Sequence, residues 1–317
     1  MATEYDLQRA SVIQVAFAAD AGFMLPLGVA LTSLAETHAP GEVAATILHA
    51  GVPAADIARV ERSVAGRVQL TWRRVAESEV AGAHYSTFLT PASLFRLLLP
   101  QFLPAGLERV IYLDCDTVIA GSLRPLWELD LGHHLVAAAR DAGAPFPAGP
   151  CGTDWQGLGL APGAPYLNTG VLVIPLASWR ANDVSRRVLE VLRASQPRWG
   201  DQDGLNVVMQ GRWLELPRRW NLQTSDVDGR GLAWALWRQD VDAALADPAI
   251  VHYTERDKPW MPGSRHPLAE RWFAALDASA WCGWRPDRRS RPLVRRVGSR
   301  VKAAWRILTA KPAGVAA

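Results

Sequence analysis

Two carboxylates separated by one residue close the apolar run Arg109-Val-Ile-Tyr-Leu-Asp114-Cys115-Asp116. Side chains of an extended segment alternate. Asp114 and Asp116 are therefore expected to point the same way and share one divalent cation, whose open positions accept diphosphate oxygens. Hard oxygen donors suit Mn2+ or Mg2+. The same D-x-D pattern also fits a solvated turn, a reading that the following Gly121-Ser-Leu-Arg-Pro-Leu weighs against. His252 ends a short apolar strand and, taken alone, is read as a core residue before a ligand. Arg96 stands on an otherwise apolar helix (Leu94, Phe95, Leu97, Leu98, Leu99), where a guanidinium either meets a carboxylate or phosphate or snorkels to the surface. Asp201-Gln202-Asp203 opens a helix, where the dipole also favours acids.

The elements that must position these groups alternate along the first half of the chain. Val12 to Ala19, Ala45 to Ala50, Val68 to Val75 and Arg109 to Leu113 read as strands. Leu25 to Thr37 and Pro53 to Val64 read as helices, as does Pro91 to Leu99 with proline in its first turn. That alternation predicts an α/β fold with a mostly parallel central sheet flanked by helices, and ligands bind such folds beyond the carboxyl ends of the strands. In the second half, Leu135 to Arg140 and Tyr166 to Ile174 read as strands on either side of a Gly/Pro-rich loop, Ala142 to Pro165, that can cover a site. Val184 to Ala194 and Gln202 to Gln210 read as helices, and Ile250 to Tyr253 as a strand. Nine tryptophans fall between Trp199 and Trp284 and are expected to pack in the core, whereas Trp155, in the loop, is better placed to stack on a sugar ring.

Composition narrows the class. With 317 residues, 49% hydrophobic and 21% charged, the chain is neither disordered nor fibrous. Cys115, Cys151 and Cys282 form no CxxC pair, so neither a disulfide framework nor a thiolate zinc site is indicated. Acids before the first apolar run argue against a signal peptide, and no apolar run reaches the eighteen or so residues of a bilayer span. A cytoplasmic protein is expected. The net charge of +3 hides an asymmetry: ten bases and one acid from Arg285 onward give +9, so residues 1 to 284 carry −6. Pro286 and Pro292 mark the boundary between a body, 1–284, and a basic tail, 285–317. Val294, Val297, Val301, Trp305 and Leu308 follow helical steps in that tail, which reads as a basic amphipathic helix for an anionic membrane surface. No nucleic-acid partner is expected, because the acidic body adds no second basic surface.

Six ordered motifs carry a resemblance to retaining glycosyltransferases of family 8, the lipopolysaccharide galactosyl- and glucosyltransferases and glycogenin. They are Val15-Ala-Phe-Ala-Ala-Asp20, Ser93-Leu-Phe-Arg96-Leu-Leu-Leu-Pro100, Tyr112-Leu-Asp114-Cys-Asp116 with Leu123-Arg-Pro-Leu-Trp127, Tyr166-Leu-Asn168-Thr-Gly170-Val, Asp201-Gln202-Asp203-Gly-Leu-Asn206, and His252-Tyr253 with Lys258-Pro-Trp260. The resemblance implies a GT-A type nucleotide-sugar-binding fold from about Ser11 to Trp272 and transfer of a hexose, with retention, from a UDP-sugar. The implied acceptor is a glycan or glycolipid such as lipopolysaccharide, at the inner face of the membrane. It puts Ala18, Ala19 and Asp20 on the uracil and ribose, although Asp20 also suits a helix N-cap. Arg96 and Cys115 would lie at the nucleotide and D-x-D loop, and His252 would be the third metal ligand. Lys258 would meet the β-phosphate, whose charge grows as the glycosidic bond breaks. Asp201, Asp141 and Asn168 would contact the sugar, with Gln202 near the anomeric carbon. Gly22 and Glu255 stand where the family often has Asn and Gly. Double displacement needs a carboxylate nucleophile, and an amide is a poor one, so front-face substitution is favoured. The alternative is a non-catalytic nucleotide-sugar or glycan binder, which need not keep Gln202. A dinucleotide oxidoreductase is excluded, because AGFMLPLG follows Asp20 where G-x-G-x-x-G is needed.

Overall fold

The computed structural model describes residues 12–86, 89–149, 153–229 and 231–287. Its main sheet has seven strands in the order β3-β2-β1-β4-β7-β6-β8. These are β1 (Ile13–Ala19), β2 (Val43–His49), β3 (Gln69–Arg74), β4 (Arg109–Leu113), β6 (Val136–Arg140), β7 (Leu167–Pro175) and β8 (Trp213–Glu215). The parallel pairs are β3/β2, β2/β1, β1/β4 and β6/β8, while β7 runs antiparallel to both its neighbours. The expected mostly parallel sheet is therefore present, with one reversed strand at its centre. β7 is buried along nearly its whole length (LNTGVLVIP) and β1 is apolar on both faces (IQVAFAA), the composition of strands covered on each side.

Helices form the two covering layers. Met24–Glu36 is buried around nearly its whole circumference and lies beneath the sheet, with the Trp281 ring seated where a side chain on Gly28 would stand 2.3 Å away. On the opposite layer, Val184–Ser195 and Asp201–Met209 pack through Val188, Leu192 and Leu205. Trp272 meets Phe273 and Trp284 edge to face and lies tilted against Trp260, so these rings are packing groups, as expected.

The helix expected from Pro91 is present, and its winding changes along its length. Pro91 to Leu98 winds as a 3-10 helix and turns α-helical only over Leu99–Phe102. The carbonyl of Ser93, which the Leu97 amide would use in an α-helix, instead accepts Arg96 Nε, and Leu94, Phe95, Leu97 and Leu98 are fully buried. Tertiary packing and the Arg96 side chain set the winding, where propensity alone favours the α-helix. The loop from Ala142 to Pro165 contains no helix or strand among its described residues, and Trp155 within it is half-buried.

A second, three-stranded sheet has the order β5-β10-β9, from Thr117–Ile119, Ile250–His252 and Leu222–Gln223. It clamps the segment after β4 against the distant segment that carries His252. His252 pairs with Thr117 on one side and with Gln223 on the other.

Candidate active site

Asp114 and Asp116 follow β4 at its carboxyl end, but not in the extended geometry expected of them. The chain turns at Cys115 and Asp116 before β5, with Thr117 Oγ1 donating to the Asp114 carbonyl at 2.8 Å. Cys115 points inward, its thiol on the Ala18 carbonyl at 3.2 Å, and burial pushes that thiol well above its ordinary pKa. Strand alternation is thus replaced by a turn that buries the middle residue and leaves both acids on one side. β10 then brings His252 to them, with Nε2 3.2 Å from Asp116 Oδ1 and 3.8 Å from Asp114 Oδ2. One ligand atom from each of the three residues lies within 4.8 Å of the others, an arrangement that could hold a divalent cation.

The close approach of His252 depends on Gly170. A Cβ at that position would lie 2.0 Å from His252 Cε1, so any larger residue would expel the imidazole. Lys258 Nζ lies 2.5 Å from Asp116 Oδ2 and also donates to the Tyr253 carbonyl. Burial by itself would raise the Asp116 carboxyl, but the Lys258 ammonium and His252 hold it well below the usual carboxylate range. Asp116 is therefore a carboxylate at neutral pH, the state a metal ligand requires.

Arg96 is 5% exposed and is committed to protein partners. It meets Asp114 Oδ1 at 3.1 Å and the Thr169 carbonyl at 2.6 Å, with its guanidinium stacked 4.7 Å above the Tyr112 ring. Tyr112 in turn donates to Asp114 Oδ1 at 2.7 Å. Asp201 Oδ2 is 2.9 Å from Arg96 Nε, but that N–H points at Ser93, so the contact is electrostatic without a hydrogen bond. Burial pushes the Asp201 carboxyl up to about 6, with Arg96 opposing the rise and Asp114 adding to it. Asp201 is 2% exposed, so the structure places it beneath the site as the counter-charge of Arg96 and not on its surface.

Gln202, one residue further along the same helix, does face the site. Its amide nitrogen donates to Asp141 Oδ2 at 3.1 Å, and its oxygen accepts from Asn168 Nδ2 at 3.3 Å and from the Thr169 amide at 3.4 Å. Asp141 Oδ1 accepts the Gly143 and Ala144 amides, which fixes the carboxylate at the end of β6. Asn168 donates to Asp141 Oδ2 at 3.0 Å, so Asp141, Asn168 and Gln202 form one connected group. Asp203, the third member of the motif, is buried and holds Tyr166 and the helix start through the Trp199 amide.

Asp20 caps the short turn Ala21–Phe23 through the Gly22 amide at 2.8 Å and accepts Thr90 Oγ1 at 2.5 Å, the N-cap arrangement that its position also suits. A side chain on Gly22 would stand 3.1 Å from that carboxylate. Ala18 and Ala19 lie at the carboxyl end of β1, beside Asp20 and Cys115. Glu255 adopts φ +67°, so the backbone keeps the left-handed turn that glycine favours despite the larger residue. Two supporting residues carry no sequence signal. Thr90 and Asn221, whose Oδ1 is 2.9 Å from His252 Nδ1, stand at no telling distance from the groups they touch.

Comparison with known proteins gives the family and the fold. Residues 14–262 match the pattern of glycosyl transferase family 8. The chain is 28% identical over 202 residues to General stress protein A of Bacillus subtilis (strain 168), covering 62% of this chain and 68% of that protein. It is 24% identical over 285 residues to the lipopolysaccharide 1,2-glucosyltransferase of Escherichia coli (strain K12), covering 87% and 81%. Its structure superposes on the galactosyltransferase LgtC, solved with donor and acceptor sugar analogs, at a TM-score of 0.74 and 26% identity, over 90% of this chain and 99% of that one. A matched span covering most of the chain and a structure that superposes on LgtC make this protein a member of glycosyltransferase family 8 with the GT-A fold.

Proposed function

We propose that the protein transfers a hexose, galactose or glucose, from a UDP-sugar to a glycan or glycolipid acceptor such as lipopolysaccharide or another surface polysaccharide, with retention. The observation that carries this reading is the junction of two groups at the carboxyl ends of the strands: the Asp114, Asp116 and His252 cluster, and the Asp141, Asn168 and Gln202 cluster, joined through Asn221. Two carboxylates and an imidazole with Lys258 beside them fit Mn2+ or Mg2+ and a diphosphate. A cation bound there supplies neutralisation of the diphosphate charge that develops on bond breaking.

This chain's own residues perform the remaining work. Asp20, with Ala18 and Ala19, receives the nucleoside at the end of β1. Lys258 leaves its pairing with Asp116 to meet the β-phosphate. Arg96, countered by Asp201, holds Asp114 from behind. Gln202 presents its amide oxygen to the anomeric centre while Asp141 and Asn168 orient it and the sugar hydroxyls. The bond from C1 to the β-phosphate oxygen breaks, the bond from C1 to the acceptor oxygen forms on the same face, and the acceptor proton passes to the departing diphosphate. Gln202, an amide, steadies the oxocarbenium-like charge without forming a bond. A non-catalytic binder would have no use for an amide held at that position by three partners. On sequence alone, the basic tail attaches the enzyme to the anionic inner face of the membrane.

A panel of UDP-hexoses with Mn2+, scored for UDP release with and without a lipid-linked glycan fraction, tests the reading. One UDP-hexose is expected to dominate, EDTA to abolish release, and added Mn2+ to restore it. Full-rate transfer by the chelated protein, or a product of inverted anomeric configuration, would remove the assignment.

A further inference from the structure

We infer that Asn221 is a positioning residue that fixes which nitrogen of His252 faces the metal site and ties that choice to the sugar-side group. The inference rests on the metal reading above. Donor and acceptor identities along the chain of contacts follow from its two ends. Asn168 accepts the Gly170 backbone N–H at 3.0 Å, and a backbone amide can only donate, so the atom facing it is the Asn168 oxygen. The other end of the same amide faces the Asp141 carboxylate at 3.0 Å, which requires the nitrogen there. Asn221 approaches that same Asn168 oxygen at 2.9 Å and must therefore present its NH2. Its own oxygen is left for His252 Nδ1, at 2.9 Å. His252 Nδ1 consequently carries a proton, and Nε2 is the nitrogen that faces Asp114 and Asp116, where it would give its lone pair to a cation held between them.

Asn221 is fully buried, immediately before β9, and β9 runs beside the strand of His252. An unpaired amide at this depth would be costly, and both ends of this one are used. Outer partners of this kind orient a ligating imidazole and tune its affinity for metal. Here the same amide also braces Asn168, which holds Asp141 and Gln202. The metal end and the sugar end of the site thus share a single side chain.

The test compares wild type, His252→Ala, Asn221→Leu and Asn221→Asp for Mn2+ affinity by electron paramagnetic resonance without donor, and for turnover of the UDP-hexose that wild type uses. Asn221→Leu removes the acceptor and is expected to weaken Mn2+ binding on the order of 10- to 100-fold. Asn221→Asp keeps an acceptor for Nδ1–H but sets a carboxylate oxygen against the Asn168 oxygen. It is expected to hold Mn2+ within about 3-fold of wild type, a residual effect well below that of losing the outer partner, while kcat falls about 10-fold or more. This split decides the matter even where Asn221→Leu fails to fold, because a purely structural role would move both readouts together. Equal loss of Mn2+ affinity and turnover in Asn221→Asp, or no loss in either, overturns the inference. Wild type that binds no Mn2+, with His252→Ala unchanged from it, would overturn the metal reading itself.

Discussion

Gln202 and Asp201 are neighbours in sequence with opposite fates. Helical geometry turns Asp201 inward onto Arg96 and Gln202 outward to Asp141, Asn168 and the Thr169 amide. Replacing Gln202 with Ala should lower kcat on the order of 10²-fold and leave the donor KM nearly unchanged, because its proposed contact matters mainly for charge that develops in the transition state. Steady-state kinetics with the preferred UDP-hexose checks this, and a rise in KM at constant kcat would make Gln202 a binding residue instead. Asp114, Asp116 and His252 were legible as polar groups at the ends of apolar runs, whereas Lys258, Asn168 and Gln202 were placed only by the resemblance to family 8. The burial of Asp201 was not legible, since a helix-initiating acid reads the same whether it faces solvent or an arginine.

At the scale of elements, the site depends on close approaches that strand patterning does not reveal. The amino half of β7 could accept many residues by its hydrophobic pattern, yet Gly170 is required by an imidazole from a strand far away in sequence. Gly170→Ala should cost about 1–3 kcal/mol by overpacking and weaken Mn2+ binding as well. Gly106→Ala, where nothing lies within 4 Å, should do neither. Thermal melts with Mn2+ titrations measure both, and a variant at Gly170 with wild-type values would contradict the packing argument. The corner after β9 is a second support. Gln223 bridges the Arg140 carbonyl and the Ala142 amide on either side of Asp141, and Asp226 completes its capping box over buried Arg218. Burial pushes the Asp226 carboxyl up to about 6, against the pull of Arg218. An acid whose pKa is raised on folding binds its proton more tightly in the folded state. Its contribution is therefore greatest below the unfolded value, near 3.8, and declines as pH rises toward 6. Asp226→Asn removes that decline, so the melting temperature of the variant relative to wild type should increase from about pH 4 to about pH 6.5. A difference independent of pH would count against the buried ionisation.

For the whole molecule, the question is how an acidic body with a basic tail meets its acceptor. No helix among the described residues is long and apolar enough to cross a membrane. The amphipathic reading of the tail falls almost wholly on residues 288–317, outside the described residues. Each tail base near an anionic surface would contribute on the order of 1 kcal/mol, so a tail held there by ten of them would attach in a salt-sensitive way. The intact protein is expected to sediment with anionic liposomes at low salt. Truncation after Trp284 should release it without loss of transfer to a soluble acceptor. Equal sedimentation of the two forms would remove the tail from the membrane interaction.

By itself, the sequence determined the alternation of strands and helices, and with it the sheet and the end at which ligands bind, because burial on both faces imposes continuous apolar runs. Its motifs also named the three candidate metal ligands and Gln202. Tertiary structure alone decided how these groups meet. The turn at Cys115 replaces the extended geometry, the second sheet brings His252 to Asp116, Arg96 is committed to Asp114 and Asp201, and Asn221 joins the two halves of the site. These contacts span from 18 to 138 positions of sequence between Asp114 and its partners Arg96 and His252. Local propensity acts over a few residues, so contacts at such separations are set only when the packed layers fix where each strand ends.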